Sequence, residues 1–124
     1  METNGQKNGS RTDWEEYARC YDVLAELTPY RSMMDEVVRQ IDIRPEQRVL
    51  DAACGTGNLT VRLLPAIDTD AGIIGCDSSM EMIERARKKT RGSSTATIMF
   101  ADLNATLPFP DSTFDRVASV NTLY

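Results

Sequence analysis

Val49-Leu50-Asp51-Ala52-Ala53-Cys54-Gly55-Thr56-Gly57-Asn58-Leu59-Thr60 joins a short apolar run to a Gly-rich turn and then to the start of a helix. The reading is a buried strand over Val49 to Ala53, a turn, and a helix from Asn58 to about Ile67 with Pro65 near its end. Such a turn brings free backbone N–H groups and the positive end of a helix dipole to one place. Gly55 and Gly57 can take positive φ and let a ligand approach with no Cβ in the way. A nucleotide-like ligand at the C-terminal end of this strand is the expectation.

Outward from this stretch, short apolar runs alternate with charged amphipathic segments, the pattern of βαβ units. Strands are expected over Gly72 to Cys76, Thr97 to Ala101 and Phe114 to Val120, and a helix over Ser79 to about Lys89 with Met80, Ile83 and Ala86 or Arg87 on one face. Leu103 to Asp111 carries two prolines and reads as a loop. Upstream, Trp14, Tyr17, Ala18 and Tyr21 follow helical spacing after the N-cap candidates Thr12 and Asp13. They form either a lid over the ligand or a cover for the sheet. After a break at Thr28-Pro29, Met33, Met34, Val37, Val38 and Ile41 repeat the spacing, with both methionines expected in the core. Residues 1–11 read as a disordered tail, leaving 12–124 as one α/β domain.

The chain has 124 residues, with Lys plus Arg 14 against Asp plus Glu 19, a net charge of -5 and no His. One domain fits this length. The acidic balance, with no basic block, disfavours nucleic acid as a partner. Lack of His removes the commonest general base and most zinc-ligand sets, so no metal site and no catalytic side chain are assigned. Cys20, Cys54 and Cys76 are an odd number without C-x-x-C spacing, the first residues read as lacking the apolar core of a signal peptide, and no apolar run reaches membrane length. Reduced thiols in a cytoplasm, with no membrane partner, are expected. Cys54 lacks a His partner and reads as a small packed residue rather than a nucleophile; Glu84 to Arg91 reads as a solvated charged face.

Asp77 closes the second strand 26 residues after Asp51, where an α/β nucleotide site holds a carboxylate for the ribose hydroxyls, and Asp102 closes the third. A dinucleotide fingerprint begun at Gly55 requires Gly or Ala at position 60, where Thr60 stands, so a nicotinamide reading is disfavoured. There is no P-loop sequence.

Val49 to Gly57, Ile74-Gly75-Cys76-Asp77-Ser78-Ser79-Met80, Ala101-Asp102-Leu103 and Leu107-Pro108-Phe109-Pro110-Asp111-Ser112-Thr113-Phe114-Asp115 together resemble the successive motifs of class I S-adenosylmethionine (SAM)-dependent methyltransferases. The last segment resembles their ubiquinone/menaquinone-biosynthesis-like branch, and the likeness runs from about Tyr17 to Tyr124. It implies a Rossmann-like parallel sheet in the order 3-2-1-4, the first four strands of a seven-strand fold, preceded by N-terminal helices. It implies SAM as cofactor, S-adenosylhomocysteine as product and a small organic molecule as acceptor. It also implies residue roles: Gly55, Gly57 and the Ala53 carbonyl against the methionine portion, Asp51 ordering the loop, and Asp77 on the ribose. Ser78 and Met80 would lie by the adenine, Asp102 and Leu103 at its polar edge, and Asn121 and Tyr21 at the methionine end. Ala53 replaces a frequent Gly. The bare edge of the fourth strand, residues 114 to 124, would invite pairing between copies, and the alternative function is a non-catalytic SAM-binding or assembly module completed in that way.

Overall fold

The computed structural model describes residues 11–120. The tail expectation falls outside them but for Arg11, at which the first helix opens. Helix α1 spans Arg11–Leu24 and α2 spans Thr28–Ile41. Pro29 does not separate α2 from what precedes it; it occupies the first turn of α2, where its missing N–H has no intrahelical partner to lose. Strand β1 (Val49–Ala52), helix α3 (Asn58–Leu63), strand β2 (Ile73–Asp77), helix α4 (Met80–Lys89), strand β3 (Ala96–Phe100) and strand β4 (Arg116–Ala118) follow. Pro65 shortens α3: the helix gives way to a 3-10 turn over Leu64–Ala66.

All pairings are parallel and the strand order is β3-β2-β1-β4. Successive crossovers carry the chain from β1 to β3 in one direction, and the next connection returns it to the far side of β1. The reversal between β1 and β4 is a switch point, the place where open α/β sheets bind ligands beyond the strands' C-terminal ends.

The two faces of the sheet alternate along each strand as the pleat requires. On one face Val49, Ile73 and Ala118 pack with Met34 of α2, Leu59 and Leu63 of α3, and Ile67. The same side continues with Cys54 and Ile98 against Ile83 and Ala86 of α4. On the other face Leu50, Cys76 and Ala101 meet Leu107, Phe109 and Phe114 of the loop between β3 and β4. Phe109 and Phe114 close that cover edge to face, with centroids 5.0 Å apart. Because Phe114 turns into this cluster, β4 is shorter than the expected Phe114 to Val120 and Phe114 does not lie on the sheet edge. Val117 does, 64% exposed; Leu123 lies outside the described residues.

Met34 is buried, whereas Met33 is 38% exposed and only partly joins the surface of α2, against the expectation of a core pair. Likewise Met80 is exposed on α4, and Met82 is turned inward with Ile83 and Ala86.

Candidate cofactor-binding site

Left-handed residues alternate through the turn after β1: Ala53 (φ +57°), Gly55 (φ +58°) and Gly57 (φ +88°). The methyl of Ala53 costs roughly 1 kcal/mol in this conformation, and its neighbours hold it there. Cys54 N–H donates to Cys76 C=O (2.9 Å), tying the turn to β2, and Gly57 N–H donates to Cys54 C=O (3.0 Å). A Cβ on Gly57 would come within 3.2 Å of the Ala86 Cα, so α4 packs closely against the loop. A Cβ on Gly55 would meet nothing within 4 Å. The loop is therefore packed at Gly57 and open at Gly55. Helix α3 is six residues long, too short for a large dipole, so the loop's own N–H geometry matters more than the macrodipole expected from the sequence.

Asp77, the last residue of β2, reaches across to this loop. Its Oδ2 accepts from Gly55 N–H and its Oδ1 from Ser79 N–H, both at 2.9 Å. Each oxygen keeps a further lone pair. Asp51 lies under the loop instead: it is buried in β1 and accepts from the Thr60 hydroxyl at 2.6 Å and from the Thr60 N–H. Burial raises its carboxyl from 3.8 to about 6, opposed by the Thr60 bonds and reinforced by the charge of Asp77.

The remaining sequence candidates are more exposed. Asp102 accepts from Asn104 N–H through Oδ1 (2.9 Å), and its carbonyl accepts from Ala105 N–H (3.0 Å), an Asx turn at the end of β3. Ser78 and Leu103 are exposed. Tyr21 is half-buried, its hydroxyl 2.8 Å from that of Tyr30 and its ring edge-on to the Tyr30 ring, so it joins α1 to α2. Tyr17 is 43% exposed beside it. Asn121 and the Trp14 side chain lie outside the described residues. Cys54 is buried, with burial first and then the charges of Asp51 and Asp77 pushing its thiol far up, which removes it as a nucleophile. Cys54 and Cys76 pack on opposite faces of the sheet, and all three cysteines are free.

Sequence reading missed a polar cluster beside the loop. Asp22 of α1 accepts from Thr56 Oγ1 (2.6 Å), Lys89 Nζ (2.7 Å) and Arg85 Nη1 (3.1 Å). Lys89 also donates to the Asn58 side-chain oxygen (2.7 Å), and Arg87 donates to the Ile98 carbonyl (3.0 and 3.2 Å). The run Glu84 to Arg91 is thus not simply a solvated face. Its i, i+4 pair Arg85 and Lys89 was visible in the sequence; its partner, more than 60 residues upstream, was not. A charged groove of about 310 Å³ runs between α1 and α4, lined in part by Asp22, Arg85 and Lys89. It lies beside the loop, and its lining does not include Gly55 or Asp77.

A parallel sheet that reverses order beside a Gly-rich turn, with a carboxylate from the next strand on that turn, defines an α/β protein of the nucleotide-cofactor-binding class. More narrowly, the chain belongs to the methyltransferase-domain family, whose model matches residues 49–124. It is 35% identical over 109 residues to a demethylmenaquinone methyltransferase of Symbiobacterium thermophilum, covering 84% of this chain and 43% of that protein. With the enzyme of the same name from Shouchella clausii the identity is 33%, over 78% of this chain and 43% of the relative. The chain thus spans under half the length of these relatives. In fold it is similar to a putative SAM-dependent methyltransferase of Methanococcus maripaludis (TM-score 0.70, 22% identity, 96% of this chain and 53% of that one). The cofactor of the family is SAM. The residues present fit it: Asp77 has lone pairs left for two hydroxyls, and Gly55 leaves its approach open.

Proposed function

We propose that this chain is the cofactor-holding part of a SAM-dependent methyltransferase acting on a small organic acceptor, with residues 12–124 as the SAM-binding domain. The observation that carries the reading is the Asp77 carboxylate, fixed to Gly55 N–H and Ser79 N–H beside an open glycine. In this reading Asp77 accepts the two ribose hydroxyls, and Gly55, Gly57 and the Ala53 carbonyl line the methionine portion. Asp51 acts from below through Thr60. Met80 and the Ser78 backbone flank the adenine, Asp102 and the Leu103 N–H meet its polar edge, and Tyr21 and Asn121 lie toward the methionine end. Exposure of Met80, Asp102 and Leu103 supports their availability to a ligand.

SAM supplies a methyl group on a positively charged sulfur, already activated for transfer. The protein's part is then to hold an acceptor nucleophile in line and exclude water, work that needs no His. The relatives named demethylmenaquinone methyltransferases support a quinone-type acceptor. Free cysteines support a reducing, cytoplasmic setting, and among the described residues no helix is long and apolar enough to cross a membrane. Among the described residues strand β4 bonds β1 on one side and exposes Val117; we infer pairing between copies along the β4 edge (Arg116–Ala118), without Phe114, which is turned into the core.

Titration calorimetry with S-adenosylhomocysteine tests the cofactor reading: wild type binds, and Asp77→Ala binds at least about 10-fold more weakly, as expected for loss of charge-assisted hydrogen bonds. Absence of binding by the folded chain, or equal binding by both proteins, would sink it. Light scattering tests the pairing, and a clean monomer at the chain mass of 13.8 kDa would count against it.

A further inference from the structure

We propose that Asp22 is a positioning residue for cofactor binding, holding the Gly-rich loop in its ligand-ready shape through Thr56 and so making that shape depend on the docking of α1. The proposal rests on the cofactor reading above and adds a control element to it. Thr56 stands between two residues in left-handed conformation, Gly55 and Gly57, and is itself fully buried. Flanking glycines leave a loop with many accessible backbone states, so a bond to the residue between them removes more freedom than the same bond elsewhere. That bond is the Thr56 hydroxyl donating to Asp22 Oδ1 at 2.6 Å. The acceptor sits on α1, 34 residues away in sequence.

Asp22 is in turn fixed from the opposite side. Lys89 and Arg85, one helical turn apart on α4, donate to its two oxygens at 2.7 and 3.1 Å. Lys89 also reaches the Thr56 hydroxyl (3.1 Å) and the Asn58 side-chain oxygen (2.7 Å), at the start of α3. One carboxylate therefore joins α1, the loop and α4. Asp22 keeps only 20% of its side-chain surface exposed, and Lys89 and Arg85 keep 30% and 34%, so these pairs are less screened than surface ion pairs. Burial would raise the Asp22 carboxyl, but the bonds from Lys89 and Thr56, the Lys89 charge and the Arg85 bond outweigh it and hold the group below its ordinary value, charged near neutrality. A clamp serving only to attach α1 to α4 would need Arg85 and Lys89 alone. The Thr56 bond extends it to the loop.

The test measures S-adenosylhomocysteine affinity by calorimetry and thermal stability on wild type, Asp22→Asn, Thr56→Val, Thr56→Ser and the Asp22→Asn/Thr56→Val double variant. Expected are about 10-fold weaker binding for each of Asp22→Asn and Thr56→Val, a double variant no weaker than the worse single, and recovery in Thr56→Ser, which restores the hydroxyl. Folded variants with lowered melting temperature but affinity within about 2-fold of wild type would overturn the proposal and leave a structural clamp. So would strictly additive losses. Because Thr56→Ser preserves the donor, its failure to recover binding while folded also counts against the proposal. A wild type that does not bind at all removes the cofactor reading itself, and this proposal with it, which is a different result from a binding wild type with indifferent variants.

Discussion

The Gly-rich loop after β1 and the Asp102-Leu103 turn after β3 lie at the same end of a parallel sheet, yet they are held in different ways. The loop is anchored from three sides: Asp51 and Thr60 beneath it, Asp77 beside it, and Asp22 through Thr56. The turn after β3 satisfies itself, with Asp102 bonding within three residues of its own position and both Asp102 and Leu103 exposed. A loop braced by long-range bonds is shaped before any ligand arrives. A self-contained turn has its side chains free to adjust to one. The contrast puts the ribose and methionine end of the proposed site on a preorganised base and the adenine edge on a compliant one.

Three measurements break or sharpen that contrast. The largest effect belongs to Asp51. A carboxyl raised from 3.8 to about 6 in the fold contributes stability that is complete below about pH 4 and lost as pH rises through about 6. The difference in unfolding free energy between wild type and Asp51→Asn should therefore shift by about 3 kcal/mol across that window, wild type losing ground as the pH increases. A difference independent of pH would show that Asp51 is not a strained brace. Next is Gly57→Ala, which forces a methyl toward Ala86 in a left-handed residue and should cost about 2 kcal/mol in denaturant unfolding; a change under about 0.5 kcal/mol would mean the loop is not rigidly packed. The smallest is Asp102→Ala. It should alter fold stability by no more than about 0.5 kcal/mol, and its loss of S-adenosylhomocysteine affinity in calorimetry should be smaller than that of Asp77→Ala. Equal losses would erase the distinction between the two ends.

Much of this architecture was readable because it is local and periodic. The strand-turn-helix at Val49 to Thr60, the acid closing β2, and the alternation of apolar runs with amphipathic segments lead to a parallel α/β sheet, and the resemblance of four motifs supplied its strand order and the family. What escaped depended on distance in the chain. Asp22 carries no local signal distinguishing it from any acid on a helix, because its partners are 34 to 67 residues away. Asp51, Asp77 and Asp102 look alike as acids near strand ends; only the pleat decides that Asp51 points under the loop, and only the turn decides that Asp102 caps itself. Phe114 reads as a strand residue by type, but covering Leu50, Cys76 and Ala101 requires its ring elsewhere. Helical spacing from Asn58 to Ile67 does not show where α3 stops, because Pro65 is accommodated in a 3-10 turn that ends the helix at Leu63.

The strand order has one more consequence, in hydrogen exchange. β1 and β2 are each paired on both sides, whereas β3 and β4 are the outer strands. Fluctuations that detach β3, bonded on one side only among the described residues, expose its amides to solvent while leaving the β1–β2 ladder intact. Asp51 and Asp77 sit on those two inner strands, so the acids at the base of the proposed site should stay in register through partial openings that already exchange the amides of β3.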